Sequence, residues 1–282
     1  MSTPFCHEST RARNPNRFSC FRVFVAEKLI VAGLVLLSPT VLFAQRGPAG
    51  RGGGGQAPAP PTPQAAAPID LTGYWVSIIV DEWRFRVTPQ KGDIPYLPLN
   101  NEARQVANAW DPAKDDADGK QCKAYGAVGL MQRPGRLHIT WADANTLKID
   151  ADAGTQTRVL HFGAATADKG PPSWQGYSAA EWQIPGGARR GAPAAGPRRG
   201  NLKVVTTNML PGYLRKNGVP YGDKAVLTEY FNLLSGEQND TYIAITAMVD
   251  DSMYLTQPFV RTYNFKKLAA ATGWDPTPCW NR

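Results

Sequence analysis

The side chains best suited to chemistry in this sequence are two histidines and two glutamates between residues 138 and 229. His138 and His161 lie on the first and third of three strand-like segments, residues 135–141, 146–151 and 155–162, so one strand separates them. Pointing into a shared interior, they would serve as acid and base or as metal ligands, with Glu181 or Glu229 as the accompanying carboxylate. Two imidazoles alone make a poor metal site, and Glu181, Glu229 or Asp250 would have to complete a facial set. The simpler expectation is that each histidine is a hydrogen-bonded member of a sheet and that no cofactor or metal is bound. No nucleophile sits beside a recognisable base, and no phosphate-binding glycine loop appears.

A second set would bind rather than react. Trp83, Arg84, Phe85 and Arg86 alternate ring and cation, and an arginine turned inward must be paired or hold a ligand carboxylate. Tyr125, Trp141, Tyr177 and Tyr230 supply further rings, so the expected ligand contacts are Trp83, Arg84 and these four. Trp182 and Tyr254 extend the same aromatic set, and core packing accounts for most such rings. Leu214-Arg215-Lys216-Asn217-Gly218 is a turn with two cations, expected as a connecting loop or, alternatively, an anion contact.

The elements that must position these groups are mostly strands. Residues 71–87 alternate Val76, Ile78 and Val80 against Trp75, Ile79, Trp83 and Phe85. Further alternating runs cover 135–141, 146–151, 155–162, 174–182, 202–207, 225–231, 241–249 and 254–265. One helix is expected over 101–110, capped by Asn100 or Asn101 and ended by Asp111-Pro112. Asp115, Asp116 and Asp118 then read as an acidic turn. Connections between strands lack amphipathic helices, which excludes a parallel α/β sheet. The expected fold is mainly β, an antiparallel barrel of about 8–10 strands with one short helix after the first strand; closing the barrel removes its sheet edges.

Charge and composition divide the chain. The net charge is +8 over 282 residues. Residues 1–44 carry +3, Arg46 and Arg51 add two, and Arg189, Arg190, Arg198 and Arg199 add four, which leaves the remainder near −1. Basicity therefore sits outside the expected core, and a nucleic-acid-binding face is not expected. The apolar run 29–37 follows Arg17, Arg22 and Lys28 and precedes Ala44, the pattern of a cleaved export signal; an uncleaved anchor or a start further downstream is the alternative. Residues 45–68 are Gly-, Ala- and Pro-rich and read as a disordered linker, and 185–200 as a disordered Arg/Gly/Pro loop in the domain 69–282. Cys6 and Cys20 belong to the signal. The remaining pair, Cys122 and Cys279, is expected to form a disulfide in an oxidising periplasmic or extracellular compartment. No stable membrane span is expected once the signal is removed.

Gly73-Tyr74-Trp75 at the first strand's start resembles the lipocalin signature, Gly-x-Trp. That resemblance implies a barrel whose closed end is plugged by Trp75, with Arg261 from the last strand across it. The chain also resembles an exported bacterial family of unassigned function, on stretches that include Glu82-Trp-Arg-Phe-Arg, Gln121-Cys-Lys-Ala-Tyr-Gly, Pro134-Gly-Arg-Leu-His-Ile-Thr-Trp, Leu214-Arg-Lys-Asn-Gly-Val-Pro-Tyr and Pro276-Thr-Pro-Cys. It implies a lipocalin-like barrel in an outer compartment and no particular chemistry.

The leading expectation is an exported barrel that binds a small, largely apolar or aromatic ligand. One alternative is an isomerase, cyclase or hydratase on the same scaffold, using His138, His161 and Glu181 or Glu229. Another is a structural or accessory envelope protein.

Overall fold

Alternation of apolar and polar residues governs the chain from Gly73 onward, and a computed structural model shows how it closes. The structure describes residues 59–80, 83–87, 89–94, 96–163, 169–185 and 199–280, all within the unit Pro58–Arg282. The expected signal, linker residues 45–58 and loop residues 186–198 lie outside the described residues. In chain order the elements are β1 (Gly73–Ile78), α1 (Trp83–Val87), α2 (Asn101–Ala109), α3 (Pro112–Ala117), α4 (Ala127–Leu130), β2 (Arg136–Asp143), β3 (Thr146–Ala151), β4 (Gln156–Phe162), β5 (Tyr177–Gln183), β6 (Asn201–Thr207), β7 (Gly212–Arg215), β8 (Val219–Tyr221), β9 (Val226–Ser235), β10 (Thr241–Asp250) and β11 (Phe259–Leu268).

Nine strands form a closed barrel in the order β1-β11-β10-β9-β6-β5-β4-β3-β2, and β7 with β8 makes a separate hairpin. The fold is mainly β, as the alternation predicts, but the barrel is mixed. β4 and β5 run parallel through three pairs, Leu160↔Ser178 to Phe162↔Ala180. Inward positions alternate with outward ones. Leu137, Ile139, Leu147, Ile149, Leu160 and Phe231 are buried inside. Each such side chain contributes roughly 1.5–3 kcal/mol by leaving water.

The helix expectation needs correction. Four short α-helices follow β1 among the described residues, not one. α2 starts where expected: the Asn100 carboxamide accepts the Ala103 amide at 2.9 Å. Its buried face is Ala103 and Ala107 rather than Val106, because small residues let it lie close. The acidic turn is α3, whose Asp115 is buried and accepts from Trp110 Nε1, Tyr213 OH and Lys123 Nζ. The long first strand also fails. It stops at Ile78, and residues 83–87 turn into α1 because the Arg86 guanidinium is pulled back onto the chain, Nη1 donating to the Ile78 carbonyl and Nε to that of Gln132. Tertiary hydrogen bonds here override a period-two pattern.

Trp75 fills one end of the barrel. It is fully buried, its Nε1 donates to the Leu71 carbonyl at 3.0 Å, and a cation lies across it. That cation is Lys267, its Nζ 5.3 Å from the ring centre, and not Arg261. The register decides this: Trp75 stands opposite Lys267, whereas Arg261 stacks on Phe259 at the far end of the same strand. Residues 59–68, assigned to the linker, are described at this end, where the Trp182 indole donates to the Pro63 carbonyl. Proline-rich chain leaves carbonyls unpaired, and an indole N–H is a suitable donor for one.

α1, α4 and the β7–β8 hairpin cover the opposite end together with the chain terminus. Cys122 and Cys279 form the expected disulfide, 157 residues apart in sequence with Cα atoms 5.1 Å apart. The terminus is strapped further: Thr277 N donates to the Asp152 carbonyl, Thr155 Oγ1 to that of Thr277 and Tyr125 OH to that of Trp280. Replacing both cysteines by serine should cost about 2–4 kcal/mol of stability, read as a lower denaturation midpoint. An unchanged midpoint would mean that the strap holds the tail without the bond.

Candidate functional site

The expected catalytic residues do not converge. The parity that puts Leu137, Ile139, Leu160 and Phe162 inside puts His138 and His161 outside. His138 stacks on Tyr74 at 4.0 Å between ring centres, and His161 on Tyr177 at 4.9 Å. Their rungs on β3, Asp150 and Thr146, are four residues apart, about 13 Å by strand rise. Glu181 is exposed and ion-paired to Lys203 at 2.9 Å. It shares an outer groove of about 310 Å³ with His161, where β4 and β5 run parallel. Glu229 lies inside the barrel, 1% exposed, and holds Arg158 through two bonds of 3.0 and 2.6 Å. Among the described residues, no three of His, Cys, Asp and Glu gather to hold a metal ion, and no helix is long and apolar enough to cross a membrane.

The expected ligand contacts are likewise dispersed. Trp83 is 62% exposed, and Arg84 is ion-paired to Asp93 at 2.9 Å. Trp141 packs on Phe162 near the Trp75 end. Tyr177 and Tyr230 sit at outward positions of β5 and β9. Only Tyr125 lines the cavity that matters most.

That cavity, about 260 Å³, lies at the capped end. Its cations are Arg86 of α1, Arg133 after α4 and Lys216 in the β7–β8 turn. Tyr125, Thr277 and Trp280 form much of the remaining wall, with Trp280 at the rim, 59% exposed. Each wall is fixed from elsewhere. Arg86 lies over the Tyr263 ring at 5.4 Å. Gln132 Nε2 donates to the Leu214 carbonyl at 2.7 Å, tying the Arg133 turn to β7. Gly154, at φ +76°, lies flat under the Tyr125 ring, where any side chain would collide.

Arg133 is the exceptional member. It is 4% exposed, and none of its three guanidinium nitrogens has a hydrogen-bond partner among the described residues. Its guanidinium lies 6.0 Å from the centre of the Tyr125 ring. Burial, and then the charges of Arg86 and Arg215, push its guanidinium down to about 10, still charged at neutral pH. Burial and the Arg133 charge push the Lys216 ammonium down to about 8, while its Nζ lies over Trp280 at 5.7 Å. Arg215 is buried alongside, stacked on Phe85 at 4.4 Å. Buried like charges of this kind favour whatever anion enters among them.

Sequence reasoning marked Arg86, Arg215 and Lys216 but missed Arg133, Thr277 and Trp280. Nothing local in Met131-Gln-Arg-Pro-Gly shows that residues near 280 will cover it. The fold and site thus define a closed, mixed nine-stranded β-barrel with a cationic pocket beneath one capped end. No family model, curated protein or solved structure matches the chain.

Proposed function

We propose that this chain is an exported, lipocalin-like barrel that binds a small anion in the pocket of Arg86, Arg133 and Lys216. One observation carries the reading: a buried, charged Arg133 whose guanidinium faces a cavity and bonds to no described protein group. Such a charge costs several kcal/mol until an anion satisfies it. The ligand departs from the largely apolar one expected, because the cavity walls are cationic and the barrel interior is occupied by packed side chains. Gly73-Tyr74-Trp75 with a last-strand cation across the tryptophan supports the lipocalin likeness. The apolar run after basic residues, and the disulfide, support export. The outer groove at His161 is less apt, since Lys203 and Glu181 neutralise each other there.

Binding should depend on pH through Lys216, which faces Arg133, Arg86, Tyr125 and Trp280. Its folded pKa near 8 lies below the ordinary 10.5, so without ligand the protein carries the cost fully below pH 8 and sheds it between about 8 and 10.5. A bound anion holds the proton on. Affinity, corrected for phosphate's own second ionisation, should therefore be level below pH 8 and fall by up to about tenfold per unit above it. Calorimetric titration with phosphate, on the whole chain and on Lys216→Met, tests this. The variant should bind more weakly at pH 7 with this pH dependence gone, and no anion heat in either protein would sink the reading.

A further inference from the structure

We infer that the anion is a small monocarboxylate on a flat apolar body, its two oxygens held by the guanidinium fork of Arg133 and its body against the rings of Tyr125 and Trp280. The inference rests on the anion-binding reading and adds the ligand's head group and body.

The hydrogen-bond donors decide the head group. Arg86 engages the carbonyls of Gln132 and Ile78 and lies over Tyr263. Arg215 stacks on Phe85 and Phe259, and Lys216 lies over Trp280. These three cations have partners of their own, so they add a positive field rather than a grip. Arg133 differs: at 4% exposure its Nε and both Nη atoms have no hydrogen-bond partner among the described residues. No carboxylate is among the described walls of the cavity to meet it. One edge of a guanidinium presents two parallel N–H groups, which match the two coplanar oxygens of a carboxylate. A phosphoryl dianion would meet the same edge with two oxygens, but its third oxygen and second charge would need further donors. The described walls supply few. Val87, Pro134 and Ala153 bring apolar side chains, the Tyr125 hydroxyl already donates to the Trp280 carbonyl, and Thr277 has one neutral hydroxyl. A charged oxygen that loses its water there without gaining a donor is penalised. A carboxylate leaves no such oxygen over.

The cavity decides the body. At about 260 Å³ it is below the roughly 300–1,000 Å³ of a drug-sized site, which suits one ring or a few carbons beyond the head group. Two aromatic residues, Tyr125 and Trp280, line it. Tyr125 is held in place, with Gly154 against its ring and its hydroxyl tied to the terminus. A flat, rigid body packs on such a preset face with little ordering cost, and the charged head stays at Arg133.

The test uses the oxidised whole chain and calorimetry at pH 7 with benzoate, acetate, benzamide and inorganic phosphate. Acetate keeps the head group without the ring, and benzamide keeps the shape without the charge. The expected result is benzoate at least about tenfold tighter than each of the other three, a ring's burial separating it from acetate and a charge-assisted contact from benzamide. Arg133→Gln should weaken benzoate by about 10- to 100-fold. Should that variant not fold, Trp280→Ala, at an exposed rim position, gives a second test: it should narrow the gap between benzoate and acetate to about threefold or less by removing one ring contact. Benzoate binding unchanged by Arg133→Gln, or benzamide as tight as benzoate, would overturn the inference. Phosphate or acetate as tight as benzoate would overturn it while leaving an anion site. No binding by benzoate, acetate or phosphate would overturn the anion site as well.

Discussion

Arg133→Met should make the ligand-free protein more stable and remove its response to phosphate. A guanidinium cannot shed its proton at ordinary pH, so burial gives it no neutral form to retreat to. None of its three nitrogens has a partner among the described residues, and Arg86, Arg215 and Lys216 crowd it with like charge. Methionine has a similar reach, is apolar and adapts to irregular space. Exchange of buried charge for apolar volume is often worth on the order of 1–4 kcal/mol in favour of the exchange. Denaturant unfolding, with and without phosphate, reads both halves of the expectation. The original chain should gain midpoint with phosphate, and the variant should start higher and gain little. Phosphate also strengthens burial generally by exclusion from protein surface, so the difference between the two proteins is the measure. A variant that starts lower, or one that gains as much, would show that Arg133 has another task.

Glu229→Ala should cost about 3–5 kcal/mol, the price of stranding a buried charge. Glu229 and Arg158 are 1% and 0% exposed and face each other across the barrel interior on β9 and β4. The guanidinium also donates to Thr206 Oγ1 at 3.2 Å, and that hydroxyl pairs with Ser178 at 2.8 Å. Alanine would leave the arginine with one neutral partner in a place water does not reach. Replacing both charges, by Arg158→Met with Glu229→Leu, should recover most of the loss. A single variant that unfolds at the original denaturant concentration would contradict the assignment of this pair to the core. Glu229 is then a structural acid, although its residue type and strand made it a candidate base.

Much of the barrel is legible because its period is two. Leu137, Ile139 and Trp141 on one side, with Leu160 and Phe162 on another strand, specify strands and an inside. The same alternation already sets His138 and His161 opposite those residues, so their outward placement was available before any coordinates. Other features depend on register, which alternation leaves open. Arg261 and Lys267 share a face of β11, and only pairing with β1 selects Lys267 for Trp75. The choice of Arg86 over Arg84 for the pocket needs α1, a five-residue helix held by carbonyls of Ile78 and Gln132. Arg133 was least legible. Its burial is made by residues near 280, far from it in the sequence.

The barrel's seam also sets an order of assembly. β1 pairs with both β2 and β11, so the sheet cannot close until residues 259–268 have arrived. Thr277 and Trp280 follow still later, and they complete the pocket wall next to Cys279. The pocket is thus finished only after the barrel's closing strand, by residues that follow it in the chain. Long-range closure of this kind folds slowly, and a ligand that needs the finished wall cannot nucleate it. Capture of the proposed anion would therefore be confined to chains that have already closed the barrel, which would separate folding from loading in time.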